Sequence, residues 1–192
     1  MLALALAACS KDPGTGQAPG VSDDTILIGS SSALTGHASF LGRQYTLGSN
    51  VWFEEVNAAG GIHGRKIEFL TYDDAYEPDK TVTNSRRLIA EDRVFMLFDY
   101  VGTPTSVRII DMVHDEDIPA FGFLTGAETL RTPFRPNIFH VRASYYHEAA
   151  GAVAYFVDHR GLEKIAVMHQ DDACGRAVLA GVQLALRRRG LE

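Results

Sequence analysis

Short apolar runs alternate with amphipathic stretches along most of this chain, and this alternation is the feature that most constrains its fold. The apolar runs predict strands, which lie over 25–29, 66–72, 94–98, 119–123, 138–141 and 164–169. Helical periodicity between them predicts helices, which lie over 43–58, 79–91, about 105–115, about 146–160 and 176–189. Strands that alternate with helices form a parallel sheet wrapped by helices on both faces, so we predict an α/β fold.

The composition excludes one class of partner. The chain has 192 residues, of which 46% are hydrophobic and 22% charged, and its net charge is -6. These are ordinary values for a globular protein. Binding to nucleic acid needs a basic face that neutralises phosphates, so the acidic balance argues against a nucleic-acid partner.

The amino-terminal segment predicts a lipid anchor. Residues 1–8 are apolar and are followed by Cys9, and the run Leu-Ala-Ala-Cys at 6–9 is similar to a bacterial lipobox. We therefore predict a partial signal peptide over 1–8, lipidation of Cys9, and attachment to a membrane at the periplasm or cell surface. Residues 9–22 are rich in Pro and Gly and predict the lipid anchor and a flexible tether. The alternative is an apolar chain end with a chance cysteine.

Three loops follow successive strands of the predicted sheet, at 30–42, 99–106 and 124–128. The carboxyl ends of parallel strands meet at one edge of a sheet, so these loops should lie together. They share hydroxyl groups and glycine-exposed amides, carried by Ser31, Ser32, Thr35, Thr103, Thr105, Ser106, Thr125, Gly36, Gly102 and Gly126. Such groups bind a carboxylate without a formal counter-charge. They also serve as helix caps and turn residues, and the sequence leaves both roles open.

Enzyme signatures are weak. The chain contains neither a G-x-S-x-G nucleophile elbow nor a G-x-x-x-x-G-K-[ST] phosphate loop. The acidic pairs at 73–74 and 171–172 could bind a metal, although pairs at strand ends more often close turns. Cys174 lies in a glycine-containing loop, but no partner for a catalytic dyad can be named. We predict that the protein is not an enzyme and uses neither a cofactor nor a metal.

Several segments carry a resemblance to a known family. They are L-T-G at 34–36, E-V-N-A-A-G-G-I-H-G-R-K-I-E-F at 55–69, Y-D-D-A-Y-E-P at 72–78, F-L-T-G-A-E-T-L-R at 123–131, R-A-S-Y at 142–145 and H-Q-D-D-A-C-G at 169–175. Together they resemble the periplasmic solute-binding proteins of the branched-chain amino acid (Leu/Ile/Val-binding) family, the receptors of ABC importers. The resemblance extends over nearly all of 25–192.

The resemblance implies a type I periplasmic-binding-protein fold, in which two α/β lobes joined by hinge strands close on a ligand. It assigns 23–142 to the first ligand-binding lobe, with a complete-looking core, and 143–192 to the start of an incomplete second lobe. The chain therefore looks truncated. The implied partners are a small-molecule ligand and the permease and ATPase subunits of an ABC transporter. A ligand-sensing domain of a signalling receptor on the same fold is the alternative.

The resemblance also implies ligand-binding residues in the first lobe. A hydroxyl after the third strand matches Thr103, and the groups after the fourth strand match Leu124, Thr125 and Gly126. These residues would hold an amino acid's carboxylate and ammonium groups.

Three further positions would shape the space around the ligand's side chain. Phe40 and Leu41 lie in the first loop, and Cys174 occupies a second-lobe position where family members often place an aromatic residue. Cys174 and the T-G-A-E loop at 125–128 both depart from the family pattern. The ligand is therefore open: a branched-chain amino acid, another small carboxylate, an aromatic acid or an amide.

Overall fold

The structure, a computed structural model, describes residues 18–191. Over this range strands alternate with helices, as the sequence predicts. The strands are β1 (Thr25–Ser32), β2 (Lys66–Asp73), β3 (Met96–Phe98), β4 (Ala120–Phe121) and β5 (Ile138–Phe139). The helices are α1 (Ser39–Ala58), α2 (Pro78–Ala90), α3 (Thr103–Val107), α4 (Ile110–Asp115), α5 (Tyr145–Ala154) and α6 (Ala173–Arg187). A 3-10 turn lies at Glu128–Leu130, and a π-helical turn at Tyr155–His159 extends α5. The predicted signal peptide, Cys9 and most of the tether lie outside the described residues.

The strands form one parallel sheet in the order β2-β1-β3-β4-β5. The order reverses at β1 and β3, so the chain winds outward in both directions from the middle of the sheet. Ligands of open α/β sheets bind at such a switch point, outside the carboxyl ends of the strands. The sheet therefore directs the three predicted loops to one edge.

Successive residues of each strand point to opposite faces, and each face has its own core. On one face, α2 and α4 cover a cluster that includes Leu88, Leu97 and Ile109, none of which is exposed. On the other face, Phe53 of α1 packs against Ile28 and neighbouring strand residues. This two-sided burial explains why the strands read as continuous apolar runs rather than as alternating patterns.

The connection from β1 to α1 is tight. α1 begins at Ser39, four residues before the predicted start, and Gly42 lies in its first turn, facing β1. A Cβ atom at position 42 would lie only 2.1 Å from the Ala33 carbonyl oxygen, so the backbones approach too closely for any other residue. At the end of α1, the Asn57 side chain bonds the backbone N and O of Ile67 at 2.7 and 2.8 Å and fixes the helix to β2.

Two predicted elements differ in the structure. The helix predicted over 105–115 is divided into α3 and α4, since Arg108 and Ile109 interrupt it. The strand predicted over 164–169 is wrong: these residues form no ladder, and Met168 is fully exposed. A strand needs a neighbour to pair its backbone groups, and no described residue provides one there.

Residues 18–22, which the sequence assigned to the tether, lie against the sheet. The Gly20 carbonyl accepts a hydrogen bond from Leu27 N at 2.7 Å, and the Ser22 carbonyl accepts one from Arg65 Nε at 2.7 Å. Val21 also forms an antiparallel bridge with Ile26. This segment is therefore part of the packed α/β unit rather than a tether.

The residues after β5 form a helical pair. α5 and α6 pack together at Gly181, where an added Cβ atom would lie 3.1 Å from the Ala149 Cβ atom and from the Tyr145 carbonyl oxygen. Asp172 caps α6 by accepting a hydrogen bond from Gly175 N at 2.8 Å. The pair brings the amino end of α6 against the carboxyl edge of the sheet.

Candidate functional site

Two threonine hydroxyls meet at the carboxyl edge of the sheet. Thr103 begins α3, Thr125 follows β4, and their Oγ1 atoms lie 2.6 Å apart. A parallel bridge between Val101 and Leu124 aligns the two loops. Thr103 is 2% exposed and Thr125 1% exposed, so this pair is the buried centre of the site. The structure thus brings together the two loops that topology predicted to converge.

Tyr145 of α5 and Cys174 of α6 connect the threonine pair to this helical pair. The Tyr145 Oη atom lies 3.5 Å from Thr103 Oγ1 and 3.2 Å from Cys174 Sγ. Tyr145 N donates to the Gly126 carbonyl at 2.7 Å, and a Cβ atom at Gly126 would lie 2.7 Å from the Tyr145 ring. Cys174 therefore lies beside the predicted site residues, and Tyr145 is a member that the sequence did not single out.

Asp74 anchors the loop after β2 to the first loop. Its Oδ2 atom accepts hydrogen bonds from Ser31 Oγ at 2.8 Å and Thr81 Oγ1 at 2.9 Å, and its Oδ1 atom accepts one from Tyr76 N at 2.9 Å. Burial raises the pKa of Asp74, and these hydrogen bonds to the ionised form oppose the rise. Ser31 thus has a structural partner inside the lobe.

Asp73 closes the turn that begins the first loop. Its carboxylate accepts hydrogen bonds from Leu34 N at 2.9 Å, Thr35 N at 3.1 Å, Ala75 N at 2.9 Å and Thr35 Oγ1 at 2.5 Å. Partial burial disfavours the charged form, but the hydrogen bonds outweigh it and hold the pKa of Asp73 below its usual value. These are the bonds that the turn-closing interpretation of the acidic pair predicts.

Tyr76 is a further residue that the sequence did not single out. It has a left-handed backbone, with φ 66°, and its ring edge lies against Gly102, where an added Cβ atom would be 2.3 Å from Cε2. The ring also meets His37 edge to face at 5.3 Å. Burial, followed by the nearby Cys174 and Asp172, raises the pKa of Tyr76 to about 12. The position of this ring depends on contacts between four separate segments, which no local sequence signal indicates.

Phe40 and Leu41 are placed differently from the threonine pair. Both lie in the first turn of α1, where Phe40 is 76% exposed and Leu41 52% exposed. Leu124 is half-buried beside Thr125. The structure therefore gathers Thr103, the 124–126 loop and Cys174 into one cluster, and leaves the two first-loop side chains on the open surface.

The described residues offer no metal site or membrane-spanning helix. Between 18 and 191, no group of three or more His, Cys, Asp or Glu side chains is arranged to hold a metal ion. In the same range, no helix combines the length and apolarity needed to cross a bilayer.

An open parallel sheet with buried hydroxyls at its carboxyl edge, against which α5 and α6 pack, is typical of small-molecule-binding α/β proteins. The family described as periplasmic binding protein matches residues 25–192, and the chain belongs to this family. The resemblance drawn from the sequence motifs is confirmed, and so is the type I α/β fold.

Individual relatives agree with this assignment. The chain is 27% identical over 169 residues to an amino acid binding protein of Pseudomonas aeruginosa, covering 87% of this chain and 45% of that protein. It superposes on a possible leucine/isoleucine/valine-binding protein of Rhodopirellula baltica with a TM-score of 0.82 and 33% identity, covering 86% and 45% of the two chains. It superposes on a fatty acid ABC transporter substrate-binding protein of Thermomonospora curvata with a TM-score of 0.80 and 25% identity, covering 92% of this chain and 45% of that chain. The chain thus spans about half the length of these relatives.

Proposed function

We propose that the protein is an extracytoplasmic solute-binding receptor of an ABC importer. It captures a branched-chain amino acid, or another small carboxylate or amide, between its lobes. It passes the ligand to permease and ATPase subunits without converting it, and a lipid on Cys9 holds it at the membrane surface. A ligand-sensing domain of a signalling receptor would use the same cleft.

The observation that carries this proposal is the hydroxyl pair of Thr103 and Thr125. Their Oγ1 atoms are 2.6 Å apart beyond the carboxyl ends of β3 and β4, next to the switch point between β1 and β3, so one ligand oxygen can accept hydrogen bonds from both. Hydrogen bonds to an ionised acceptor are stronger than those between neutral groups. A carboxylate can therefore replace the bond that the two hydroxyls now make with each other.

Entry of a ligand requires movement at the hinge. Both threonines are almost fully buried, and Tyr145 and Cys174 of the second-lobe helices lie against them. Displacing the amino ends of α5 and α6 would open the cluster to solvent. Closure on a bound ligand would then bury the ligand's polar group in the same position.

The names of the relatives support a carboxylate as the recognised group. One relative is an amino acid binding protein and another is a fatty acid transporter component. A third is a leucine-, isoleucine-, valine-, threonine- and alanine-binding protein of Pseudomonas aeruginosa. Amino acids and fatty acids differ in their tails and share a carboxylate. A lobe-1 site that holds the carboxylate, with variable surroundings for the tail, fits both.

A thermal-shift screen against amino acids, aliphatic acids, aromatic acids and amides tests the proposal. A ligand that binds only the folded state raises the unfolding midpoint by mass action, so we expect a carboxylate to give a saturable rise. Incubation of the best ligand with the protein, followed by mass spectrometry, should recover it unchanged. Conversion of the ligand, or the absence of stabilisation by any compound, would contradict the receptor function.

A further inference from the structure

Three aromatic side chains lie at the same edge of the sheet as the threonine pair, and each comes from a different element. His37 comes from the loop between β1 and α1, Tyr76 from the loop between β2 and α2, and Tyr145 from the start of α5. His37 and Tyr76 meet edge to face at 5.3 Å with an interplanar angle of 79°. Tyr145 reaches Thr103 through its hydroxyl at 3.5 Å. The same edge that offers hydroxyls to a carboxylate thus offers rings to the rest of the ligand.

The Tyr76 ring is held in place before any ligand binds. Ala75 and Tyr76 both have left-handed backbones, with φ 52° and 66°, which non-glycine residues adopt only at an energetic cost. Asp73 accepts a hydrogen bond from Ala75 N, and Asp74 accepts one from Tyr76 N, both at 2.9 Å. These two bonds hold the strained turn. Gly102, with φ 103° and no side chain, leaves the space that the ring edge occupies.

Three acidic side chains near Tyr76 already bond neighbouring loops and helix ends. Asp73 and Asp74 bond the loops around them, and Asp172 caps α6 at 2.8 Å. The part of the edge around Tyr76 and the threonine pair therefore presents aromatic surface and hydroxyls to a ligand. An aromatic ring packs favourably on other rings in edge-to-face or offset geometry, and an aliphatic chain does not gain this additional interaction energy.

We propose that Tyr76, with His37 and Tyr145, forms an aromatic wall of the cleft that selects a carboxylate bearing a planar ring over one bearing a branched aliphatic chain. This inference rests on the proposed receptor function and narrows its ligand class. The carboxylate occupies the Thr103 and Thr125 hydroxyls, and the ring of the ligand lies against Tyr76. Tyr76 is a specificity-determining residue in this arrangement.

Calorimetric titration of the protein with benzoate and with L-leucine tests the inference. We expect benzoate to bind at least about tenfold more tightly than L-leucine, which corresponds to the upper range of aromatic pairing energies. Tyr76→Leu should weaken benzoate about threefold to tenfold, while Tyr76→Phe, which keeps the ring, should stay within about threefold of the unmodified protein. His37→Leu, in an exposed loop position, is a second variant should Tyr76→Leu fold poorly, and it should weaken benzoate about two- to threefold.

The outcomes separate this inference from the proposed function. If Thr103→Ala weakens both probes and neither Tyr76→Leu nor His37→Leu affects benzoate, the aromatic wall is wrong and the receptor function stands. If the ring variants weaken benzoate and Thr103→Ala has no effect, the wall stands and the carboxylate position is wrong. Tighter binding of L-leucine than of benzoate, or binding of neither, overturns the inference.

Discussion

At the scale of single residues, Asp99 is the least expected side chain of the lobe. It directly follows β3 with a left-handed backbone, φ 59°, and is 4% exposed. The Ser49 hydroxyl bonds its carboxyl group, and Tyr45 Oη, which donates to the Gly122 carbonyl at 2.7 Å, lies beside it. Burial raises the pKa of Asp99 to about 7, and the neighbouring Tyr45 hydroxyl only partly opposes this rise. The folded protein therefore holds a carboxyl that titrates near neutrality.

This shift predicts a pH-dependent stability. The pKa of Asp99 is about 7 in the folded protein and about 3.9 in an unfolded chain, so the folded state binds the proton more tightly. The stabilisation is fully present below about pH 4 and is lost as the pH rises through 7. We expect Asp99→Asn to be more stable than the unmodified protein at pH 8 by about 2–4 kcal/mol, measured by urea unfolding.

An exposed position supplies the control for this experiment. Asp115→Asn, at the end of α4, should leave the pH dependence unchanged because its side chain is in solvent. If the difference in unfolding free energy between Asp99→Asn and the unmodified protein stayed constant between pH 5 and 8, Asp99 would not be the titrating group.

For single residues, the sequence could predict that Thr103 and Thr125 belong to the site, but it could not predict that Tyr76 does. Thr103 and Thr125 follow strands of a parallel sheet, and topology alone requires those strand ends to meet. Tyr76 reaches the site through a left-handed turn that depends on two aspartate hydrogen bonds. Phe40 and Leu41 were placed by resemblance alone, and they lie on the outer surface of α1. Their predicted contact with a ligand stays a prediction.

At the scale of elements, replacing either of two glycines of α1 by alanine should change the stability of the protein, in opposite directions at the two positions. Gly42→Ala places a Cβ atom 2.1 Å from the Ala33 carbonyl oxygen, and separating the helix from β1 should cost about 1–3 kcal/mol. Gly48→Ala meets nothing within 4 Å and should stabilise α1 by about 0.5–1 kcal/mol. Thermal unfolding of the two variants checks both signs. A stabilised Gly42→Ala would mean that the β1–α1 contact is looser than described.

The sequence predicted the existence of most helices and strands correctly, and it predicted their boundaries less well. The central strands were recognisable because burial on both faces makes them continuously apolar. The segment 164–169 has the same apolar character and still forms no strand. A strand needs a neighbouring strand to pair its backbone groups, and no described residue pairs with this segment. The break between α3 and α4 falls at buried Ile109 and carries no proline or glycine signal.

At the scale of the whole molecule, one face of the sheet is only half covered. Phe53 of α1 packs on Phe69 and Phe98 at 5.3 and 5.4 Å, and the aromatic row continues across β4 and β5. There Phe121 is 38% exposed and Phe139 48% exposed, with ring centroids 6.3 Å apart. A contiguous apolar patch of this kind favours association.

We expect the 192-residue polypeptide to self-associate through this face. Light scattering after gel filtration should show species larger than a monomer, and Phe139→Ser should shift the distribution towards monomer. Phe134→Ser is the matched control, because Phe134 is 84% exposed and lies outside the row. A monodisperse monomer for the unmodified polypeptide, or an equal effect of the two variants, would contradict this expectation.

The Thr103 and Thr125 hydroxyls are the proposed position of a ligand's carboxylate, on which the receptor function depends. Calorimetric titration of Thr103→Ala with the best carboxylate from the thermal-shift screen tests this directly. Thr83→Ala is the control, since Thr83 is a remote residue of α2 whose hydroxyl bonds only the Asp79 carbonyl at 3.0 Å. Loss of a hydrogen bond to a charged group should weaken binding about tenfold to a hundredfold in Thr103→Ala and leave Thr83→Ala unchanged. Equal affinities for both variants and the unmodified protein would contradict the proposed site.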